Sequence, residues 1–347
     1  MADNNKKKKN KVKPLVVLAI VVVVAIAIVG VTLAAANPNK KDFSPKQTEG
    51  NTKPNEEDFG SRLVYNGKEY RRNPDISTLL FIGVDQESDE QWDQFEEAAE
   101  GVIGNSGRSD TIILFIMNDA TKETQMLLVS RDTITDVDVY DQKGDFKYSG
   151  PMQITLQYAF GDSPTKSLFL TKRTVGELLY NIRIDGALSL TMDGIRDVVD
   201  RLGGITLTMP EDYSYIDERY TEGATVTLNG TEMEHFIRYR GDETGSNEAR
   251  VARQSWLIGA VFKELKAKGA MTFIQEIIDS HPEYITSDCD AELLKTLSRY
   301  QMTDEKYKVP GEVVAGDLHD EFYVDEEALK ELIINLLYVP VEEETTK

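Results

Sequence analysis

Apolar residues in this chain gather into short runs with two different periods. Residues 77–85, Ser-Thr-Leu-Leu-Phe-Ile-Gly-Val-Asp, are almost continuously apolar, as in a strand covered on both faces, and end in a carboxylate. Residues 111–117 and 125–129 are two more runs of strand length, separated by a polar stretch that reads as a turn. Paired as a hairpin, they bring Arg108-Ser109-Asp110 and Ser130-Arg131-Asp132 to the same sheet edge. Strand-end salt bridges, which are worth little at a surface, are the plainer reading of those triplets.

Downstream the period changes. The chain reads as loop to about residue 151, then as helices over 153–160 and 167–179, the second with Leu168, Val175, Leu178 and Leu179 on one stripe. Residues 188–192 read as a strand and 194–202 as a helix, which Gly203-Gly204 stops before a strand at 205–209. A turn at Leu228-Asn229-Gly230 precedes a short helix carrying Met233, Phe236 and Ile237, which leads into Arg238-Tyr239-Arg240. A helix is expected over 247–268, with Val251, Leu257, Ile258, Val261, Phe262 and Leu265 inward. Arg250 and Gln254 fall within that stripe, so they must meet a polar pocket or carboxylates. A strand at 322–324 and a helix at 326–338 close the pattern. Strands alternating with helices, without an internal repeat, predict an α/β layered domain.

One segment does not fit a globular domain. Residues 15–36 are 22 residues without a charge, about 33 Å as a helix and enough to cross a bilayer core. Six lysines precede it, which places the N-terminus in the cytoplasm and the remainder outside. A cleaved signal peptide is the competing reading, but its apolar region is shorter. The predicted organisation is a basic tail over 1–14, an anchor over 15–36, a spacer over 37–74, a domain over 75–340 and an acidic tail over 341–347. Within the domain, residues 86–107 form an acidic insertion, read as a surface excursion or lid.

The net charge is −21; residues 1–36 contribute +5 through six Lys and one Asp, so the outer part carries −26. Such a surface excludes nucleic acid or anionic lipid as partners held by general electrostatics. Cys289 is the single cysteine, which excludes an intrachain disulfide, a Cys-based zinc site and a redox pair. His235, His281 and His319 lack metal-ligand spacing, and no nucleophile elbow, Walker loop or dinucleotide fingerprint is present.

What remains is a clustered set of arginines in an acidic protein. Arg108, Arg131, Arg238, Arg240, Arg250 and Arg253 lie in four short motifs at element ends, and guanidinium forks suit phosphate oxygens. Asp85 and Asp110 offer carboxylates to a hard divalent cation, since Mg2+ binds through one or two carboxylates plus substrate phosphates. A purely structural Arg-carboxylate network is the alternative.

Five segments carry a resemblance: Leu-Leu-Phe-Ile-Gly-Val-Asp, Arg-Ser-Asp-Thr, Val-Ser-Arg-Asp-Thr, the Leu-Gly-Gly turn, and Leu-Asn-Gly through Arg-Tyr-Arg to Arg-Val-Ala-Arg-Gln. In this order, over about residues 75–268, the chain resembles the LytR-CpsA-Psr (LCP) family of cell-envelope phosphotransferases. The resemblance implies a central mixed β-sheet flanked by helices. It implies transfer of a phosphoglycan, such as teichoic acid or a capsular polysaccharide, from a polyprenyl-pyrophosphate carrier to a peptidoglycan hydroxyl. It further implies Mg2+ (or Mn2+) as cofactor, side pyrophosphatase activity, and a single-pass anchor with the catalytic domain extracellular. Carried onto this sequence, Asp85 and Asp110 are expected at the metal. Arg108, Arg131, Arg238, Arg240, Arg250, Arg253 and Gln254 are expected at the pyrophosphate, Arg131 also in catalysis, and Asp110 or Asp132 as proton acceptor. Two departures stand out: Asn247-Glu248-Ala249-Arg250 replaces an Asp-Phe-Gly-Arg-like run, and Gln153-Ile154-Thr155 replaces Lys-Ile-Asn. A protein that binds polyprenyl-phosphate glycans without turnover, in a regulatory or scaffolding role, is the other reading. A transcription factor is excluded by the acidic outer domain.

Overall fold

The computed structural model describes residues 60–85, 107–141, 143–201, 203–239, 253, 256–257, 284–289, 299–316 and 320–341. The tail and anchor over 1–36, the insertion, Arg240, Arg250, Gln254 and most of the 247–268 helix lie outside these residues, as does nearly all of the acidic tail. Among the described residues no helix is long and apolar enough to cross a membrane.

The apolar runs become the inner strands of a six-stranded mixed sheet. Its members are β3 (Ile76–Asp85), β4 (Arg108–Asn118), β5 (Glu123–Val129), β8 (Gly186–Thr191), β11 (Ile285–Ser287) and β12 (Gln301–Lys308), in the order β11-β8-β3-β4-β5-β12. β3 runs antiparallel to β4 and parallel to β8, and β4 and β5 are the expected hairpin. Because side chains alternate along each strand, one sequence supplies two cores. On one face Leu79, Phe81, Ile113, Phe115 and Leu190 meet Val199 of α2 (Met192–Arg201) and Met233 and Phe236 of α3 (Gly230–Arg238). On the other, Leu80, Ile82, Leu114 and Leu127 meet Leu168 and Val175 of α1 (Pro164–Leu178) and Leu329 and Ile333 of α4 (Glu326–Leu337). Truncating one of these fully buried side chains to Ala costs about 2–5 kcal/mol.

The helices begin where polar residues satisfy free backbone amides. Asn229 and Glu232 form a reciprocal capping box on α3, with each bond 2.9 Å long. Ser163 caps α1 ahead of Pro164, and Asp325 caps α4. Gly203 and Gly204 follow α2 at φ +69° and +94°, so the expected stop is a left-handed turn that other residues resist. It returns the chain into β9 (Ile205–Thr208), which pairs with β10 (Thr225–Leu228).

The structure departs from the sequence reading in three places. The spacer expected over 37–74 ends early, because β1 (Arg62–Tyr65) and β2 (Lys68–Arg72) form a hairpin closed by β15 (Tyr338–Pro340). Asn66-Gly67, both at positive φ, is the short-hairpin signal that marks it. The stretch to residue 151, expected as loop, is a second hairpin of β6 (Ile134–Tyr140) and β7 (Phe146–Gln153). Alternating Val137 and Val139 bury against Ala159, Phe160 and Leu170 in a small separate cluster. The helix expected at 153–160 is a 3₁₀ helix, Ile154–Phe160. A third hairpin joins β13 (Gly311–Ala315) to β14 (Asp320–Val324), the expected strand.

Candidate active site

The carboxyl ends of β3, β5 and β8 lie at one edge of the sheet, beside the start of β4. Such an edge is where open α/β sheets place ligand sites. Asp85 ends β3 and pairs in register with Arg108. Between Gly83 and Val84 the register slips, since Gly83 faces Thr111 while Val84 faces Ser109, so Asp110 is the unpaired residue of a β-bulge. A bulge re-aims a side chain that regular alternation directs into a core. Here the Asp110 carboxylate meets the Arg131 guanidinium, and both are largely buried. Ser109, on the Val84 side, donates from its Oγ to the Thr155 carbonyl at 3.2 Å.

Arg131 belongs to a tight loop after β5. Thr133 closes it through N and Oγ1 onto the Ser130 carbonyl at 3.1 and 2.7 Å. The start of the 3₁₀ helix pins it from one side, with Thr155 N on Arg131 O at 3.1 Å and Ile154 N on Thr133 O at 2.8 Å. From the other side Phe322 N donates to Asp132 O at 2.9 Å. Arg131 thereby spans two carboxylates: besides Asp110, its Nε lies 3.3 Å from Asp132 Oδ1. Gln153 Nε2 donates to the same Asp132 oxygen at 3.2 Å and to the Asp320 carbonyl at 2.9 Å. The Gln that replaces Lys thus ties the loop to β14 without adding charge.

The second half comes from the other face. Arg238, in the last turn of α3, reaches Asp85 Oδ1 through Nη2 at 2.8 Å and Glu234 Oε1 through Nη1 at 3.3 Å. Glu234 also takes Arg196 at 3.2 Å. Sequence reading missed Glu234, although its i,i+4 spacing to Arg238 is a helical ion-pair signal. Arg253 has a different setting from the one expected. It is 3% exposed, and its Nε and Nη2 donate to the Phe236 and Tyr239 carbonyls at 2.9 and 2.6 Å. It closes the C-terminus of α3 and so holds Arg238 in place, whereas direct phosphate contact was expected. Cys289 is buried, and His235 is exposed against the Tyr239 ring.

The structure therefore joins Asp85, Arg108, Asp110, Arg131, Asp132 and Arg238 at one edge. Arginines held by carboxylates are oriented before an anion arrives, and charge-assisted pairing is strong where water is scarce. Among the described residues no group of three or more His, Cys, Asp or Glu makes a metal cage. Asp85 and Asp110, on adjacent strands, do supply two oxygen donors. That set fits a hard cation which shares its coordination with substrate phosphates rather than one held by protein alone.

Comparison with known proteins identifies the family and the fold. A teichoic acid transferase of Oceanobacillus iheyensis named polyisoprenyl-teichoic acid–peptidoglycan teichoic acid transferase TagU is 26% identical over 252 residues, 71% of each chain. The Bacillus subtilis protein of the same name is 30% identical over 190 residues, 55% of this chain and 52% of its own. The chain thus spans between about half and seven-tenths of these relatives. The structure titled "TagT bound to LIIa-WTA" superposes with TM-score 0.53 at 20% identity, over 76% of this chain and 90% of that one, which establishes the shared fold. The family model matches residues 32–334, which include the six strands of the central sheet, the bulge and every arginine considered above, and the chain accordingly belongs to the LytR_cpsA_psr family.

Proposed function

We propose that this protein is a phosphotransferase that moves a phosphoglycan from a polyprenyl-pyrophosphate carrier to a peptidoglycan hydroxyl. The observation that carries the reading is the single sheet edge on which Arg131 bridges Asp110 and Asp132 while Arg238 holds Asp85. The names of the TagU relatives point to teichoic acid as the donor class. The acceptor hydroxyl attacks the phosphorus next to the glycan, the bridging P–O bond breaks, and polyprenyl monophosphate leaves. Arg108, Arg131 and Arg238, with Arg240 and Arg250, neutralise the pyrophosphate oxygens, and Gln254 supports them as a neutral hydrogen-bond donor. Positioning and charge supply most of the acceleration in such transfers. Asp85 and Asp110 would hold Mg2+, or Mn2+, which when bound neutralises phosphate charge. Asp132, which meets Arg131 Nε and Gln153 Nε2 at 3.3 and 3.2 Å, accepts the acceptor proton, because Asp110 is committed to Arg131 and the metal. Arg253 acts as a positioning residue behind Arg238. Water in place of the acceptor would give a side pyrophosphatase activity.

We assign the protein to the cell membrane, with residues 15–36 as a single span, the N-terminus cytoplasmic and the catalytic domain extracellular. The apolar run and the lysines before it support this topology. The test is transfer from a synthetic polyprenyl-pyrophosphate glycan to peptidoglycan by the full chain in detergent, with and without Mg2+. Metal-dependent product that disappears in Arg131→Ala supports the transferase. Tight donor binding without product under any divalent ion sinks it and favours the binding-protein reading.

A further inference from the structure

The guanidinium of Arg238 divides between two carboxylates, with Nη2 on Asp85 Oδ1 at 2.8 Å and Nη1 on Glu234 Oε1 at 3.3 Å. Glu234 lies one turn back on α3, at the i,i+4 spacing that keeps a helical ion pair together. Its other oxygen, Oε2, takes Arg196 Nη1 at 3.2 Å, and Arg196 Nη2 reaches Asp193 Oδ1 at 2.7 Å. Side chains of alternating charge therefore run from the first turn of α2 to the end of β3.

The backbone fixes this arrangement. Gly230 N donates to Asp200 Oδ1 at 2.7 Å, and a Cβ at Gly230 would collide with the Arg196 carbonyl. The two helices thus touch through a glycine one turn before Glu234. A set of plain surface pairs is the simpler account, and such pairs contribute little. Burial separates the two ends, however: the Asp193 and Arg196 side chains are 62% and 46% exposed, whereas Glu234 and Asp85 are 16% and 20%. The inner pairs interact where water and salt screen less.

Asp85 has two claims on it. It is the carboxylate assigned to the cation, yet Arg238 occupies its Oδ1 in the structure. A divalent charge at Asp85 repels the guanidinium beside it. With no other carboxylate in reach, Arg238 either withholds Asp85 from the cation or leaves the edge. Glu234 removes that conflict, because Nη1 stays anchored while Nη2 is released to a phosphate oxygen.

We propose that Glu234 is a positioning residue that retains Arg238 at the sheet edge while Asp85 exchanges its guanidinium for the cation. The proposal rests on the transferase reading with its metal, and adds the group that lets one carboxylate serve both.

The experiment measures Mn2+ binding by electron paramagnetic resonance, on the full chain in detergent without donor. It compares the wild type with Glu234→Gln, Glu234→Asp, Asp193→Asn, Arg238→Met and the double variant Arg238→Met/Glu234→Gln. Glu234→Gln should weaken Mn2+ binding about tenfold, the lower end for groups that orient a metal ligand. Glu234→Asp, which keeps the charge, should bind more tightly than Glu234→Gln. Asp193→Asn removes the same charge at the exposed end and should stay within about twofold of the wild type. In the Arg238→Met background Glu234→Gln should also change affinity by less than about twofold, since no Arg238 guanidinium then competes for Asp85. In the transfer assay, Glu234→Gln should need about tenfold more Mg2+ for half-maximal rate, with kcat restored at saturating Mg2+. A merely structural loss lowers kcat at every concentration. Equal Mn2+ affinity in the wild type and Glu234→Gln overturns the proposal. So does an equal fall with and without Arg238, which is a plain charge effect. Absence of Mn2+ uptake by the wild type is a separate outcome: it sinks the metal assignment itself, and this proposal with it.

Discussion

Arg131 sits between two carboxylates, and this makes its removal a quantitative test of the site. The Arg131 and Asp110 side chains are 15% and 9% exposed, and Asp132 is 13% exposed. Arg131→Ala leaves both carboxylates without their cation. Breaking a fully buried pair costs roughly 3–5 kcal/mol; with this residual exposure, about 2–3 kcal/mol is expected. For a domain of this size that lowers Tm by about 4–12 °C. Asp110→Ala alone should cost less, since Arg131 keeps Asp132. The double variant should recover about 1–2 kcal/mol of the summed loss, because one orphaned charge is gone. Urea titrations of the four proteins measure the cycle. Additivity within about 0.5 kcal/mol would show that the two side chains do not share a site, and the bulge argument would fall. Activity should part from stability: Arg131→Ala is expected to lose about 10²–10³ in kcat while Asp110→Asn, which keeps the shape, remains folded as the wild type.

Other positions test the scaffold. Arg253→Met removes two charge-assisted bonds to carbonyls at the end of α3 and should cost about 2–4 kcal/mol in urea; unchanged stability would contradict its positioning role. Asn229→Ala opens the α3 capping box and should cost about 1 kcal/mol, measured the same way. The hydrogen bonds from Arg219 hold the partly buried Asp217 carboxyl at about 2, below its ordinary 3.8. A depressed folded pKa contributes stability above the unfolded value and loses it as pH falls through the folded one. The stability gap between wild type and Asp217→Asn should therefore be constant above about pH 5 and close between about pH 4 and pH 2. A gap that stays open at pH 2 would place the interaction elsewhere.

How much of this was legible depends on whether the signal is local. The sheet centre is, because β3 and β4 are apolar on both faces, and only a strand covered by helices on each side tolerates that pattern. The pairing of Arg131 with Asp110 is legible for a similar reason: a short polar turn between two apolar runs brings their outer ends together. The hairpin β6–β7 is not, since Asp136 and Asp138 interleave with Val137 and Val139 and its core is six residues in a separate cluster. The setting of Arg253 is hidden too. The resemblance places it at the pyrophosphate, but only the folded chain shows that its Nε and Nη2 donate to the carbonyls of Phe236 and Tyr239. Least visible is the bulge at Asp110. Counting alternate residues from Ile112 sends Asp110 into the core beside Leu114 and Ile116, where an unpaired carboxylate is prohibitive. Asp110 stays buried, and the conflict is resolved by the Arg131 guanidinium that meets its charge. The register slip between Gly83 and Val84 lies at the same place and leaves Asp110 unpaired in the ladder.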